Sequence, residues 1–243
     1  MVPGPGRRGG PELPYRLVAG VEPCPGGWLV VSARLTGITA FPQEPEVFEG
    51  FAEIIDYRPS FDVIAVHAPL SFPTDDTPGG RTCDRLAREL LGWPRSGAIV
   101  SPPSRKLLAN PTKARVAAAG LSPIAAARVG WFKQVMEEMA PYRQRQVFEV
   151  HPELSLYQLN DDTPMRYSKY DGRGVKERRD LVTAKIAGID EVLDADLPKV
   201  TIQHLLDATV DMVTARRIAA RAVDRLPEDP EWDDEGVRME LLR

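Results

Sequence analysis

Two side chains that could hold a metal ion follow apolar runs of the sequence. The run Phe61–Val66 is rich in β-branched residues, which predicts a strand buried on both faces, and His67 comes directly after it. An earlier apolar strand, Leu17–Val21, ends at Glu22. Ligands and catalytic groups of α/β sheets gather at the carboxyl ends of strands. Function is therefore one interpretation of His67, and a buried histidine that hydrogen-bonds to backbone is the other.

A polar stripe marks the last long helix, which the pattern predicts over residues 201–226. His204, Asp207 and Asp211 are spaced i, i+3 and i+7 and therefore share one helix face. A His-x-x-Asp pair on a helix could hold one metal ion. The alternative is an ordinary solvated face.

A third candidate group lies at the end of the strand predicted over residues 146–150. Glu149, His151 and Glu153 stand there together. A buried carboxylate needs a partner or a metal ion, so Glu149 is predicted to be either structurally paired or functional. His151, which precedes a proline, could equally cap the next helix.

Several basic and hydroxyl side chains could bind phosphate through charge-assisted hydrogen bonds. Arg81 and Arg85 lie at the predicted start of a helix, and Ser101 and Arg105 bound a proline-rich loop. The alternatives are an ion pair within the helix and an ordinary turn.

Composition excludes some classes of protein. The chain has 243 residues, of which 43% are hydrophobic and 27% charged, as in ordinary globular proteins. No apolar run approaches the ~20 residues of a membrane span. Residues 1–14 are rich in Gly and Pro and predict a disordered arm. The two cysteines suggest no disulfide framework, and a cytoplasmic location is expected.

Charge is unevenly distributed, although the net charge is only −4. Acidic residues are concentrated near the C-terminus, which predicts a solvated acidic tail over residues 227–243. Residues 166–179 hold six basic and two acidic residues. That basic segment is interpreted as either a phosphate contact or a mobile surface loop.

The order of elements predicts an α/β fold with a mixed central sheet. The predicted order is β-β-β-α-β-α-β-α, in one domain over residues 15–226, with a helical insertion at about residues 71–142 after the fourth strand. The other predicted strands are 28–35 and 38–41, and the other predicted helices are 47–57, 122–139 and 175–187.

Motifs in the same order resemble a microbial domain-of-unknown-function family of predicted RNase H-like nucleases (domain of unknown function 429). The resemblance covers roughly Leu17 to Arg225. The motifs are Val18-Ala19-Gly20-Val21-Glu22, Gly26-Gly27-Trp28, Ile64-Ala65-Val66-His67-Ala68-Pro69, Arg81-x-Cys83-Asp84-Arg85, Ser101-Pro102-Pro103-x-Arg105, Glu149-Val150-His151-Pro152-Glu153, Ser168-Lys169 with Arg178, and Leu206-Asp207-Ala208.

The resemblance implies an RNase H-like fold, in which acids from the first strand, the fourth strand and the last helix hold divalent ions that cleave a phosphodiester. The implied catalytic residues are Glu22, His67, Glu149 and Asp207. The implied metal ligands are Glu22, His67, His204 and Asp207. The implied substrate-binding residues are Arg81, Arg85, Ser101, Arg105, His151, Glu153 and Lys169.

The chain departs from the family pattern at its metal positions. The family has Asp where Glu22 and His67 stand, and an acidic pair where Gln203 and His204 stand. An imidazole provides no negative, bridging oxygen, so two Mg²⁺ ions would be poorly neutralised. Imidazole favours Mn²⁺ or Zn²⁺. The departure predicts either a softer single ion or loss of metal-dependent cleavage.

Three functions remain as hypotheses. The first is a nuclease or phosphodiesterase that uses Mn²⁺, Mg²⁺ or Zn²⁺ and acts on nucleic acid. The second is a non-catalytic protein that keeps the fold and binds nucleic acid or a small phosphate-bearing ligand. The third is a nucleotide-binding enzyme, which fold analogy alone cannot decide. No membrane partner is expected, and the sequence leaves a homo-oligomer open.

Overall fold

A computed structural model describes residues 14–75, 77–110, 112 and 123–243. The strands are β1 (Arg16–Cys24), β2 (Gly27–Thr36), β3 (Thr39–Pro42), β4 (Glu46–Phe48), β5 (Val63–Val66), β6 (Val147–Glu149), β7 (Arg225–Trp232) and β8 (Arg238–Leu242). The α-helices are α1 (Phe51–Ile55), α2 (Thr82–Leu91), α3 (Arg105–Leu108), α4 (Pro123–Glu138), α5 (Pro152–Leu159), α6 (Gly172–Thr183), α7 (Ile189–Leu193) and α8 (Ile202–Ala219). Short 3₁₀ helices occupy Arg95–Ala98 and Pro141–Arg145.

The described residues form a mixed sheet of six strands, which confirms the predicted α/β class with a mixed sheet. The strand order is β3-β2-β1-β5-β6, and β4 also pairs with β2. β1 is antiparallel to β2 and parallel to β5, and β5 is parallel to β6. The central strand β1 is buried along almost its whole length, as its apolar sequence predicts.

Apolar side chains cover both faces of the sheet because successive residues of a strand point to opposite faces. On one face, Val18 and Val63 pack in a cluster with the buried side of α8. On the other face, Val21 and Val66 pack in a cluster with α1 and α4. The sheet is therefore the middle of three layers.

Gly20 lets α8 approach the sheet closely. A Cβ atom at this position would lie 2.1 Å from the Ala208 carbonyl oxygen and 2.1 Å from the Met212 amide nitrogen. Both neighbours are helix backbone, so no side chain fits between β1 and α8 at this point. The contact fixes the distance between the end of β1 and the polar stripe of α8.

Several predicted boundaries shift in the structure. The segment predicted as a helix over residues 47–57 contains strand β4, then α1. Val47 pairs with Leu29 of β2, so tertiary pairing overrides the local helical spacing. The predicted helix over 175–187 begins earlier, at Gly172, where the Asp171 side chain accepts a hydrogen bond from the Arg173 amide.

The predicted acidic tail is wrong, because residues 225–242 form the hairpin β7–β8 and α8 ends at Ala219. Val237 and Leu241 are buried, and the apolar burial explains why this segment folds despite its charge. The acids find cationic partners: Glu240 pairs with Arg225. The predicted arm over residues 1–14 lies outside the described residues, apart from Pro14.

The structure also bears on the predictions for the two cysteines and for membrane spans. Cys24 and Cys83 are both buried, free thiols. Among the described residues, the structure contains no helix of sufficient length and apolarity to traverse a bilayer.

Candidate metal centre

Strand register places Glu22 and His67 side by side. β1 and β5 are parallel, with Val21 aligned with Val66, and the His67 amide donates to the Val21 carbonyl oxygen at 2.9 Å. The alternation of strand residues directs both side chains toward the face that α8 covers. Both are buried.

Asp211 of α8 completes a group of three potential ligands. One ligand atom from each of Glu22, His67 and Asp211 lies within 4.8 Å of the other two. Asp211 is fully buried, and neither of its carboxylate oxygens has a hydrogen-bond partner among the described residues. A buried carboxylate without a partner is costly, so this atom pair needs a proton or a cation.

Hydrogen bonds define the protonation of His67. Its Nδ1 lies 2.5 Å from Glu22 Oε2, and its Nε2 lies 3.1 Å from Arg128 Nη1. A guanidinium only donates, so Nε2 accepts, and Nδ1–H then donates to the Glu22 carboxylate. Burial first, then the charges of Arg128 and Lys169, hold the pKa of His67 well below its usual range. The imidazole is therefore neutral, as a metal ligand must be.

The same surroundings favour a protonated Asp211 when no cation is bound. Burial raises the pKa of Asp211 well above its usual range, and the nearby Glu22 and Asp207 carboxylates raise it further. Lys169 and Arg128 act in the opposite direction. A divalent cation would displace this proton and balance the carboxylate charge.

Asp207 and His204, which the resemblance implied as metal ligands, lie outside this group of three. Asp207 accepts a hydrogen bond from Lys169 Nζ and is held in that ion pair. His204 Nδ1 accepts from the Thr201 amide at 3.1 Å, as the third residue of a helix-capping box. Asp211 is the α8 carboxylate that lies within 4.8 Å of ligand atoms of both Glu22 and His67.

Glu149 belongs to a separate cluster on the opposite face of the sheet. It aligns with Val66, whose side chain points away from α8, and not with His67. Its two carboxylate oxygens accept from Arg81 Nη2 at 2.5 Å and from Arg81 Nη1 at 2.8 Å. Arg81 also donates to Asp84 at 2.7 Å. Glu149 and Arg81 are therefore held in an ion-pair cluster of their own, which lines the same small cavity as His67.

His151 and Glu153 lie near the site but have structural partners. The His151 ring contacts the His67 ring edge-on, with centroids 4.5 Å apart. His151 Nδ1 accepts from the Glu153 amide at 3.2 Å and caps α5, as the sequence analysis considered. The Glu153 carboxylate accepts from the fully buried Arg178 at 2.7 Å.

The remaining predicted phosphate ligands contact other parts of the protein. Arg85 is exposed and donates to the Gly80 carbonyl oxygen at 2.5 Å. Ser101 accepts from Arg88 at 2.5 Å. Arg105 pairs with Asp233 at 3.1 Å. Of the seven predicted substrate-binding residues, His151 contacts a metal ligand directly through the His67 ring, and Lys169 pairs with Asp207 while its charge acts on Glu22 and Asp211.

Two residues of the site are not among the candidate ligands named from the sequence. The sequence places Asp211 on the polar stripe without singling it out as a ligand, and the structure brings it within 4.8 Å of ligand atoms of Glu22 and His67. Arg128 comes from α4, across the chain, and contacts Glu22 Oε1 at 3.7 Å as well as His67. No local pattern marked it.

The donor set would hold a single divalent ion if the ion replaced either the Nδ1 proton or the Arg128 donor at His67, because both ring nitrogens are engaged in the structure. Two carboxylates and a neutral imidazole match Mn²⁺ and Zn²⁺ chemistry better than that of paired Mg²⁺ ions. A cavity of about 30 Å³ lies beside His67 and has enough space for ordered water. Its lining includes His151 and Arg128 as well as Arg81, Asp84 and Glu149 of the other cluster.

Comparison with known proteins gives one match. No curated protein and no solved structure shows significant similarity to the chain. The model of one family, described as "Protein of unknown function (DUF429)", matches residues 20–232, which include every candidate metal ligand. The chain belongs to that family.

Proposed function

We propose that the chain is a metal-dependent phosphodiesterase that acts on nucleic acid and binds one divalent ion through Glu22, His67 and Asp211. One observation carries the proposal: the fully buried Asp211 carboxylate has no partner among the described residues and faces two further ligands. A buried carboxylate without a partner lowers the stability of the fold, because no contact compensates for its loss of water. Its presence therefore favours a functional role over a purely structural one.

The strand order supports an RNase H-like fold for this activity. Three antiparallel strands are followed by two parallel ones, with β1 at the centre, and α8 packs across β1. The candidate ligands come from the ends of β1 and β5 and from that last helix. This is the set of elements that the resemblance implied.

The residues around the ligands suit an anionic substrate. When bound, the ion would polarise a phosphoryl oxygen and lower the pKa of a water molecule. Arg128 and Lys169 bring two positive charges to the cluster, and their side chains stay 19% and 22% exposed. They are therefore placed to donate to the non-bridging oxygens of a phosphodiester that enters from solvent.

The proposal is tested by hydrolysis of labelled single-stranded, duplex and branched oligonucleotides with Mn²⁺, Mg²⁺ or Zn²⁺. We expect Asp211→Asn to lose activity by about a hundredfold or more, since it loses a metal ligand. Asp207→Asn is the matched control one helical turn away and should retain more activity. Absence of cleavage by the wild-type protein with every ion would contradict the proposal.

A non-catalytic binding protein is the second candidate. Its support is that Arg128 already occupies His67 Nε2, and Lys169 already neutralises Asp207, with no ion required. This candidate predicts oligonucleotide binding that weakens with salt, survives a chelator and survives Glu22→Ala, without hydrolysis. Loss of binding on chelation would exclude it.

A further inference from the structure

We propose that the loop of residues 166–173, here called the tyrosine loop, binds single-stranded nucleic acid by stacking a base on Tyr170. The inference rests on the proposed function, because it supplies the substrate class for the same site. It concerns residues that contribute no metal ligand.

Tyr170 is an exposed aromatic ring beside the candidate metal centre. The residue is 74% exposed. Lys169 Nζ lies 5.7 Å from the ring centroid and at the same time donates to Asp207. A base stacked on Tyr170 would therefore leave its phosphate close to Lys169, on the approach to Asp211.

Hydrogen bonds and close packing at residues 166–168 fix the part of the tyrosine loop that leads to Tyr170. The Glu177 carboxylate accepts from the Arg166 amide at 2.9 Å and from the Tyr167 amide at 3.1 Å. The fully buried Arg178 donates to the Tyr167 carbonyl oxygen at 3.0 Å. Gly174 packs so closely that a Cβ would lie 1.9 Å from the Ser168 carbonyl oxygen. A rigid loop loses little entropy on binding.

Cations surround the second aromatic ring of the loop. The guanidinium carbons of Arg166 and Arg173 lie 5.4 Å and 4.5 Å from the Tyr167 ring centroid, and both residues are exposed. Arg173 also pairs with Asp171 at 2.8 Å. The loop thus interleaves aromatic rings with positive charge, which is the composition of surfaces that track a single strand.

The structure explains why the ligand is single-stranded. Stacking on an exposed ring requires a base with a free face, and paired bases inside a duplex offer none. Much of the positive charge that the sequence places in residues 166–179 is already paired: Arg178 with Glu153, Arg179 with Asp190 and Lys176 with Asp180. Stacking must therefore contribute strongly to affinity, since backbone charge contacts alone are few.

The test is fluorescence anisotropy of the full chain with labelled single-stranded DNA, single-stranded RNA and a hairpin duplex, in EDTA and again in Ca²⁺. Tyr170→Ala should weaken single-strand binding about tenfold or more, and Tyr170→Phe should retain it, because the ring is kept. Tyr142→Ala is the matched control: Tyr142 is 66% exposed and has Arg143 5.6 Å from its ring, but it precedes β6 at the other end of the sheet. This control should bind like the wild-type protein.

The outcomes separate this inference from the proposed function. Binding that depends on Tyr170 without hydrolysis would support the loop and contradict the phosphodiesterase. If the protein hydrolyses oligonucleotides with a KM that Tyr170→Ala leaves unchanged, the proposed base stacking on Tyr170 is wrong and the proposed phosphodiesterase activity stands. The proposed stacking is also wrong if the wild-type protein binds the duplex as tightly as the single strand or more tightly, or binds neither in either buffer. Single-stranded DNA bound more tightly than RNA, or the reverse, identifies the strand chemistry within the supported class.

Discussion

Two buried acid clusters lie at the ends of neighbouring parallel strands, on opposite faces of one sheet. On one face, Glu149 and Asp84 share the guanidinium of Arg81, which is itself 4% exposed. On the other face, Asp211 beside Glu22 has no hydrogen-bond partner among the described residues. The acids of both clusters are buried, but in the described part of the chain only those beside Arg81 have a cationic partner in hydrogen-bond contact.

The difference distinguishes buried acids with a structural role from buried acids that could bind a cation. Although burial opposes it, the charge and hydrogen bonds of Arg81 hold the pKa of Asp84 below its usual value. At Glu149 burial outweighs Arg81, and the pKa of that carboxyl is raised. Asp211, whose neighbours Glu22 and Asp207 are also acidic, has its pKa raised well above the usual value by burial and by those charges. A paired cluster is costly to break because removal of one partner leaves a buried charge, whereas a cluster of unpaired acids is a candidate site for a cation.

The largest effect is expected from breaking the paired cluster. Arg81→Ala would leave the Glu149 and Asp84 carboxylates buried and uncompensated, which should lower the free energy of unfolding by about 3 to 5 kcal/mol. Urea unfolding followed by circular dichroism measures this change. A loss below about 1 kcal/mol would mean that the cluster is hydrated and that its contrast with Asp211 is false.

The next effect concerns the packing that positions Asp211. Gly20→Ala places a Cβ against the backbone of α8 and should cost about 1 to 3 kcal/mol of stability. Because α8 must move away from β1, we also expect weaker Mn²⁺ binding, with the Arg81 cluster unaffected. Differential scanning fluorimetry with and without Mn²⁺ reports both quantities. Unchanged Mn²⁺ affinity would show that Gly20 does not position the site.

The pH dependence of stability should differ between wild-type protein and Asp211→Asn. The folded-state pKa of Asp211 is raised, so the wild-type protein loses stability as pH rises above the unfolded value of about 4. Asp211→Asn lacks this loss. Its stability relative to wild type should therefore increase as pH rises from about 4 toward the raised folded-state pKa of Asp211. A constant difference over this range would mean that Asp211 is ionised and paired.

The smallest effect is expected from Arg85, which the sequence grouped with Arg81. Arg85 lies on the same helix but is exposed, and it donates to the Gly80 carbonyl oxygen and the Thr82 hydroxyl. Arg85→Ala should change the free energy of unfolding by less than about 0.5 kcal/mol. The same urea experiment serves as the measurement, and a loss comparable to that of Arg81→Ala would erase the distinction between the two arginines.

Much of the sheet could be predicted from sequence because apolar alternation is a local signal. The strand before His67 was predicted near its observed position, whereas the strand predicted to end at Glu22 continues to Cys24 as β1. The mixed sheet followed from the order of elements. The C-terminal hairpin could not be predicted, since its acids find partners that are remote in sequence, such as Arg105 with Asp233. The acidic residues of this segment favoured a solvated tail, whereas ion pairs with distant residues and strand pairing form a two-stranded sheet.

The candidate site was predicted in part for the same reason. Glu22 and His67 follow from strand ends, whereas the choice between Asp207 and Asp211 depends on a backbone contact at Gly20. Arg128 depends on the placement of α4. The packing of α8 on Gly20 and the position of Arg128 both depend on contacts between distant parts of the chain, which no local sequence pattern marks.

The most direct test of the metal centre is isothermal titration calorimetry of Mn²⁺ into wild-type protein, Asp211→Asn and Asp207→Asn, after treatment with a chelator. We expect one ion per chain for the wild-type protein, no measurable binding by Asp211→Asn, and binding retained by Asp207→Asn. Proton release on binding, measured in buffers of different ionisation enthalpy, should accompany the wild-type titration only if Asp211 gives up its proton. Equal Mn²⁺ affinity of wild-type protein and Asp211→Asn would contradict the account.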